Sequence, residues 1–490
     1  MGAPTAVYEA NRSRQLSINA STALVASVAV GFVGALGMVL TGTRIGSVPD
    51  PGHSLWWISI PSGGSPLASI GFYLSLALLI GGWLGVGREA FAGGLSPRWA
   101  WIILGAWGIP FFLGPPLFSQ DIFSYIGQGV IAHHGLNPYA VGPSVLGPGP
   151  LLSSIASVWR HTSSPYGPLF VLSTKWVVSL AGGSLIVEVL AFRALELIGV
   201  ALMMVSLPRL ARHLGTDPGV ALWLGVLSPL ALFSFVASGH NDALMVGLLV
   251  AGVTLAVEGR LLPGLVLCTL AATVKLPAAA AVVFLLVDRL AVVEAARRWR
   301  MAVEAVVATS VVFIGVTLAC GHGWAWLGPK ALRVPTELRV LSTPSVSLGT
   351  LVAHLLHLVG VPVSTSAAVT ATQYVCGLAA LGATVWLLVT VRRHEVVRSL
   401  GLALVLIVIG SPTVWPWYLM WGLALLAATT AQRSRVLAAV AALAMLVVGP
   451  SGHPLLGGSW YVVVSAASVG GVVWLLRGQH WRTVVSGHAA

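Results

Sequence analysis

Apolar runs long enough to cross a bilayer follow one another along nearly the whole chain, separated by short gaps that hold the arginines. The first, residues 17–40, contains no Asp, Glu, Lys or Arg. About 20 apolar residues in a helix span the hydrocarbon core, and inside lipid only helices or closed barrels satisfy every backbone polar group. The other candidate spans are 67–87, 99–118, 184–207, 219–237, 243–257, 261–275, 277–291, 301–319, 366–391, 399–411, 415–430, 435–449 and 459–476. Several are short and separated by proline, as at Pro277 and Pro412, and read as tight hairpins or single broken helices. Of the 490 residues, 57% are hydrophobic and only 8% are charged, whereas soluble domains carry roughly 25% charge. A water-facing surface cannot be built from so few charges. A soluble enzyme, a disordered scaffold and a nucleic-acid binder are thereby excluded.

The net charge of +12 is not spread evenly. Arginines cluster at Arg12/Arg14, Arg88/Arg98, Arg209/Arg212, Arg297/Arg298/Arg300, Arg392/Arg393/Arg398, Arg433/Arg435 and Arg477/Arg482. Alternating spans with Arg12 inside puts every one of these clusters in the cytoplasm, as the positive-inside rule requires. The expectation is a multi-pass plasma-membrane protein with both termini cytoplasmic. Residues 166–182 would reverse the side of Arg209 if counted as a span, so they read as a re-entrant or interfacial outer helix. Residues 346–359 read the same way. Cys268, Cys320 and Cys376 lie far apart without CxxC spacing, as small core residues do. The first apolar run is too long for a signal-peptide core and is read as a retained span.

One membrane domain over 1–490 is expected, with two long outer loops, 119–183 and 321–365. Loops of that length tend to carry function. Most of the 14 acids sit beside cytoplasmic arginines and read as solvated charges, Asp217 and Glu258 among them. Glu188, Arg193 and Glu196 lie within a span, where ionisable groups mark either a site or a structural pair.

Among outer-side acids, Asp121 stands immediately after the third span, at the lipid–water boundary. Partial desolvation there raises the basicity of a carboxylate and suits it to take a proton from a hydroxyl; a helix N-cap is the other reading. The same loop adds Tyr125, Gln128, His133, His134, Asn137, Tyr139, Trp159, Arg160 and Tyr166, a mixture of rings and hydrogen-bonding groups that suits sugars. His133 and His134 are adjacent and are not read as metal ligands. The turn Gly239-His240-Asn241-Asp242 is either turn chemistry or a site on the same side. Lys275, Lys330, Arg333 and Arg339 are cations on the side the positive-inside rule leaves poor, and a lipid phosphate would explain them. Trp415-Pro416-Trp417-Tyr418 forms an aromatic turn at the same boundary.

The run Ser119-Gln120-Asp121-Ile122-Phe123-Ser124-Tyr125 is followed by Gln128-Gly129, Gly135-Leu136-Asn137-Pro138-Tyr139, Val141-Gly142-Pro143 and Pro165-Tyr166-Gly167-Pro168. Together these resemble the actinobacterial polyprenyl-phosphomannose-dependent α-1,6-mannosyltransferases. Gly239-His240-Asn241-Asp242 and Pro416-Trp417-Tyr418 match two further family stretches, in the same order. Gln120 and Phe123 stand where the family carries Arg and Tyr. The resemblance implies an all-α GT-C bundle of about 13–14 transmembrane helices, with interfacial helices in its outer loops.

It further implies mannose transfer from polyprenyl phosphomannose to a lipid-anchored mannan, extending the lipomannan and lipoarabinomannan backbone with inversion. Asp121 is then the catalytic base. Tyr125, Gln128, Asn137, Tyr139, Tyr166, His240, Asn241, Asp242, Trp415, Trp417 and Tyr418 are candidates for substrate. Arg339, Arg333, Lys330, Arg160 and Lys275 are candidates for the donor phosphate. One phosphate demands no metal and no cofactor is expected, although Asp121 and Asp242 could share a divalent ion. The partners are donor, acceptor and membrane lipids, and no nucleic acid. A transporter or flippase of a lipid-linked sugar is the alternative, compatible with Gly-rich, Pro-broken spans; a catalytically dead relative is another.

Overall fold

The computed structural model describes residues 3–42, 66–337, 343–391, 395–430 and scattered residues between 435 and 470. Its helices are α1 (Ala3–Gly42), α2 (Pro66–Phe91), α3 (Pro97–Leu113), α4 (Asp121–His133), α5 (Pro168–Ala181), α6 (Leu185–His213), α7 (Pro218–Gly225) and α8 (Asp242–Val257). There follow α9 (Leu261–Val274), α10 (Ala279–Val292), α11 (Ala295–Ala319), α12 (Pro329–Glu337), α13 (Pro344–Leu358), α14 (Thr365–Val389), α15 (Val396–Gly410) and α16 (Met420–Ala427). No strand occurs among the described residues. Four of these helices are long and apolar enough to cross a membrane, or five elements if the bent pair around Pro229 is one span. The chain is an all-α polytopic membrane protein. The runs 435–449 and 459–476 fall largely outside the described residues.

Many prolines stand at helix starts, where a missing N–H costs nothing, although Pro110 and Pro208 lie inside α3 and α6. Ser96, Asp217 and Ser228 each precede a proline and accept the N–H three residues on, from Trp99, Val220 and Ala231. Asp217 stays exposed and is an N-cap as well, and Glu258 is ion-paired with Arg209. The run 219–237, expected as one span, is broken at Pro229 with a bend of 46°. Beyond the break, Leu232–Ala237 winds as a π-helix, a form often found beside functional sites. It delivers the chain directly to Gly239-His240.

One buried core runs from Leu24 to Ala428. Its tightest seam joins α6 to α8 through small residues, as membrane helices do. A Cβ on Gly199 would lie 2.0 Å from the Ala243 carbonyl oxygen, and one on Gly247 would lie 2.2 Å from that of Gly199. This close approach sets the height of α8, which begins at Asp242. Gly199→Val is expected to cost about 3 kcal/mol or more through overpacking, read as a lower melting temperature and lost monodisperse protein in detergent.

Arg193 and Glu196, both fully buried, serve the same region. The Arg193 guanidinium donates to the carbonyls of Phe112, Gly114 and Ala237, tying the end of α3 to the π-helical segment. Glu196 Oε2 accepts the Leu244 N–H at 3.0 Å and so satisfies the first turn of α8. A smaller cluster of Tyr139, Val171, Cys320, Trp326 and Ala331 joins the two long loops to each other.

Candidate active site

Asp121 opens α4 directly after a tight entry. Phe118 holds φ at +67°, a left-handed conformation rare for a bulky residue. Its ring stacks on Phe233 at 4.6 Å, and this packing sustains the strain. Ser119 Oγ then accepts the Asp121 N–H at 3.1 Å. The Asp121 side chain keeps 13% of its surface exposed. Trp159 Nε1–H donates to its Oδ1 at 2.8 Å, and His240 Nδ1 lies 3.6 Å from its Oδ2. Tyr125 OH lies 3.4 Å from the same His240 nitrogen, and Trp417 stacks on the imidazole with centroids 3.8 Å apart. Burial pushes the Asp121 carboxyl up to about 6, while the Trp159 hydrogen bond and the Lys275 charge pull the other way. Burial, with Lys275, holds His240 neutral.

The turn Gly239–Asp242 brings a second carboxylate close to the first. Lys275 Nζ donates to both Asp242 oxygens at 2.9 Å, and Trp421 Nε1–H donates to Oδ1 at 2.5 Å. The ammonium sits 4.3 Å from the Tyr418 ring centroid, 5.4 Å from Trp421 and 5.8 Å from Tyr166. Its place is set by the chain before it: the Gly167 N–H donates to the Val274 carbonyl at 2.9 Å. A Cβ on Gly167 would lie 2.1 Å from the Thr273 carbonyl oxygen, so only glycine lets the Pro-Tyr-Gly-Pro turn approach α9. The first long loop, the ends of α8 and α9, and the aromatic turn before α16 thus meet around Asp121 and Lys275.

Asp121, Tyr125, Tyr166, His240, Asp242, Lys275, Trp417 and Tyr418 are brought together by these contacts. Trp415 joins at one remove, stacked on Trp417 at 5.1 Å. Asn241 is fully buried, and neither its Oδ1 nor its Nδ2 has a partner among the described residues.

Other candidates lie apart from this cluster of contacts, bonded or packed within and between the loops. Gln128 Oε1 accepts from Ser164 Oγ at 2.9 Å. Asn137 Oδ1 accepts the Tyr139 N–H at 3.0 Å, an Asx turn. Tyr139 is buried beside Trp326 in the smaller cluster. Arg160 donates to the Ile155 and Ser153 carbonyls at 2.9 and 3.0 Å, and Lys330 to the Ala140 carbonyl. Arg333 is exposed on α12, and Arg339 lies outside the described residues. No group of three or more His, Cys, Asp or Glu is placed to hold a metal among the described residues. Where Asp121 and Asp242 left a shared ion open, Lys275 spans the Asp242 carboxylate.

Sequence reasoning missed the specific roles of Trp159 and Trp421. Trp421 had a readable signal: it follows Tyr418 by three residues, so a helix continuing from Pro416 puts both rings on one face. They stack at 4.7 Å.

The family model described as alpha-(1->6)-mannopyranosyltransferase, N-terminal domain, matches residues 28–293. A second, the MptB C-terminal domain, matches 345–477. The chain belongs to this mannosyltransferase family. It is 33% identical over 443 residues to alpha-(1->6)-mannopyranosyltransferase A of Mycobacterium tuberculosis, covering 86% of this chain and 84% of that one. Alpha-(1->6)-mannopyranosyltransferase B of Corynebacterium glutamicum is 29% identical over 407 residues, 76% of this chain and 66% of its own. No solved structure matches. The chain is thus an α-1,6-mannosyltransferase, and a transporter is not favoured. Its clustered side chains come from both matched regions: Asp121, Trp159, His240, Asp242 and Lys275 from the first, Trp417, Tyr418 and Trp421 from the second.

Proposed function

We propose that this mannosyltransferase moves mannose from polyprenyl phosphomannose to the end of a lipid-anchored α-1,6-mannan at the extracytoplasmic face of the plasma membrane, with inversion. The observation that carries this is Asp121: a partly desolvated carboxylate, with a carboxyl pKa of about 6, held beside a neutral imidazole and within reach of an ammonium charge. Asp121 takes the proton of the acceptor's primary hydroxyl as that oxygen attacks the anomeric carbon. The bond from this carbon to the phosphate oxygen breaks, and its electron pair leaves with the polyprenyl phosphate. Lys275 uses two of its three N–H groups on Asp242 and has a third for the leaving phosphate. Trp415, Trp417 and Tyr418 line the junction of phosphate and polyprenyl chain. No metal is invoked.

Purified protein in lipid, given labelled polyprenyl phosphomannose and a mannan-bearing lipid, should build α-1,6-linked product. Product from a sugar nucleotide but none from the lipid donor would refute the donor assignment. The base must be ionised to act, and burial raises its pKa above the ordinary 3.8 to about 6. Turnover is therefore expected to fall by about tenfold per pH unit below that value and to level off above it. A kcat–pH profile flat down to pH ~4.5 would show that the base keeps an ordinary carboxylate pKa.

A further inference from the structure

We infer that Trp159 is a positioning residue for the Asp121 base: its indole N–H occupies Oδ1 and leaves Oδ2, on the His240 side, as the oxygen that takes the acceptor's proton. This rests on the reading of Asp121 as the base and adds which oxygen acts and what holds it. Trp159 lies in the short helical turn Ser157–Arg160, inside the first long loop, and is 6% exposed.

The turn is held by hydrogen bonds of its own loop that do not involve Asp121. The Trp159 N–H donates to the Ala156 carbonyl at 2.9 Å. Arg160 reaches back to the carbonyls of Ile155 and Ser153, and Thr162 Oγ1 donates to the Val158 carbonyl at 2.6 Å. Beyond it the Ser164 N–H donates to the Pro138 carbonyl at 2.8 Å, while the Ser164 hydroxyl holds Gln128 of α4. The donor is therefore already in place when substrate arrives, and so is the carboxylate it binds.

One N–H on one oxygen makes the two carboxylate oxygens unequal. Oδ1 gives part of its charge to the indole; Oδ2 keeps its basicity. The hydrogen bond also favours the ionised form, against the burial that opposes it. Other groups act on Asp121: Ser119 from its own segment, Tyr125 of α4, His240 from the turn before α8, Asp242 at the start of α8, Lys275 after α9, Tyr166 in the first loop and Tyr418 before α16. Of these, Lys275 and the Ser119 hydroxyl also favour the carboxylate, Ser119 less than Lys275, and Asp242 opposes it.

The test uses the full chain in lipid nanodiscs with polyprenyl phosphomannose and a mannan lipid. Two replacements remove the N–H: Trp159→Phe, and benzothienylalanine at position 159, which keeps the bicyclic shape and puts sulfur where the N–H stood. Both are expected to move the acidic limb of the kcat profile upward by about one pH unit. Turnover at pH 7 should fall about tenfold, with the donor KM within about twofold. A limb that stays in place in the benzothienylalanine protein overturns the inference, whatever the Phe variant does. A shift confined to Phe means that Trp159 only packs, which also overturns it. Asp121→Asn run alongside separates the two claims. If that variant is inactive and the limb does not move, only the Trp159 role falls; if it is active, the base assignment itself falls.

Discussion

Asp121→Asn is expected to lower mannose transfer by about a thousandfold or more while leaving the protein folded. Asparagine has the same size and can still accept the Trp159 N–H through Oδ1, so the contacts that place α4 survive. What disappears is the capacity to take a proton at near-neutral pH, and general bases contribute about 10²–10⁴-fold. The readout is single-turnover transfer of labelled mannose, with the melting temperature in detergent as the control. Turnover within about tenfold of wild type would place the base elsewhere. His240, the other titratable group in contact with the carboxylate, would then be the first group to examine.

Lys275→Met is expected to destabilise the protein by about 3–5 kcal/mol, because it leaves the Asp242 carboxylate buried without its partner. Asp242 has no exposed side-chain surface, so water cannot substitute for the ammonium. The double variant Asp242→Asn, Lys275→Met should recover most of that loss, since the uncompensated charge is gone and Asn can still accept the Trp421 N–H. Transfer should stay lost in both, as neither offers a cation to the departing phosphate. Thermal unfolding of wild type, the two single variants and the double variant forms a cycle. Additive losses would show that Asp242 and Lys275 are not coupled. Recovered transfer in the double variant would remove Lys275 from the reaction.

Much of the site was visible one residue at a time. Asp121 was conspicuous as a lone acid just after an apolar run, and Lys275 as a cation on the side where cations are scarce. Their separate meanings changed in three dimensions. In the sequence Lys275 is one of five phosphate candidates; in the structure it is bound to Asp242 and lies among Tyr166, Tyr418 and Trp421. Arg160 and Lys330 look equivalent to it in sequence, but Arg160 donates to backbone carbonyls of its own loop and Lys330 to the Ala140 carbonyl of the other long loop. Gln128, Asn137 and Tyr139 carry the right chemistry for a sugar, and in the structure Gln128 is bonded to Ser164, Asn137 caps the turn at Tyr139, and Tyr139 packs beside Trp326. Hydrogen-bonding capacity is a property of a residue, whereas its partner depends on chain segments dozens of residues away.

Composition and run length alone determined that this chain lives in lipid as a helical bundle, because continuous apolar runs of about 20 residues satisfy their backbone groups in hydrocarbon as helices, whereas barrel strands are half that length and alternate. They also determined that chemistry had to gather where the few polar residues lie, and the motif order pointed to mannosyl transfer. Only the tertiary structure decided that Arg193 and Glu196 serve the backbone around the site, that the span 219–237 breaks at Pro229, and that two tryptophans hold the two aspartates. Those outcomes rest on close contacts between distant segments. A one-residue shift along α8 would separate Asp242 from Lys275 without changing any local pattern. It is the Gly199–Gly247 seam that sets that height.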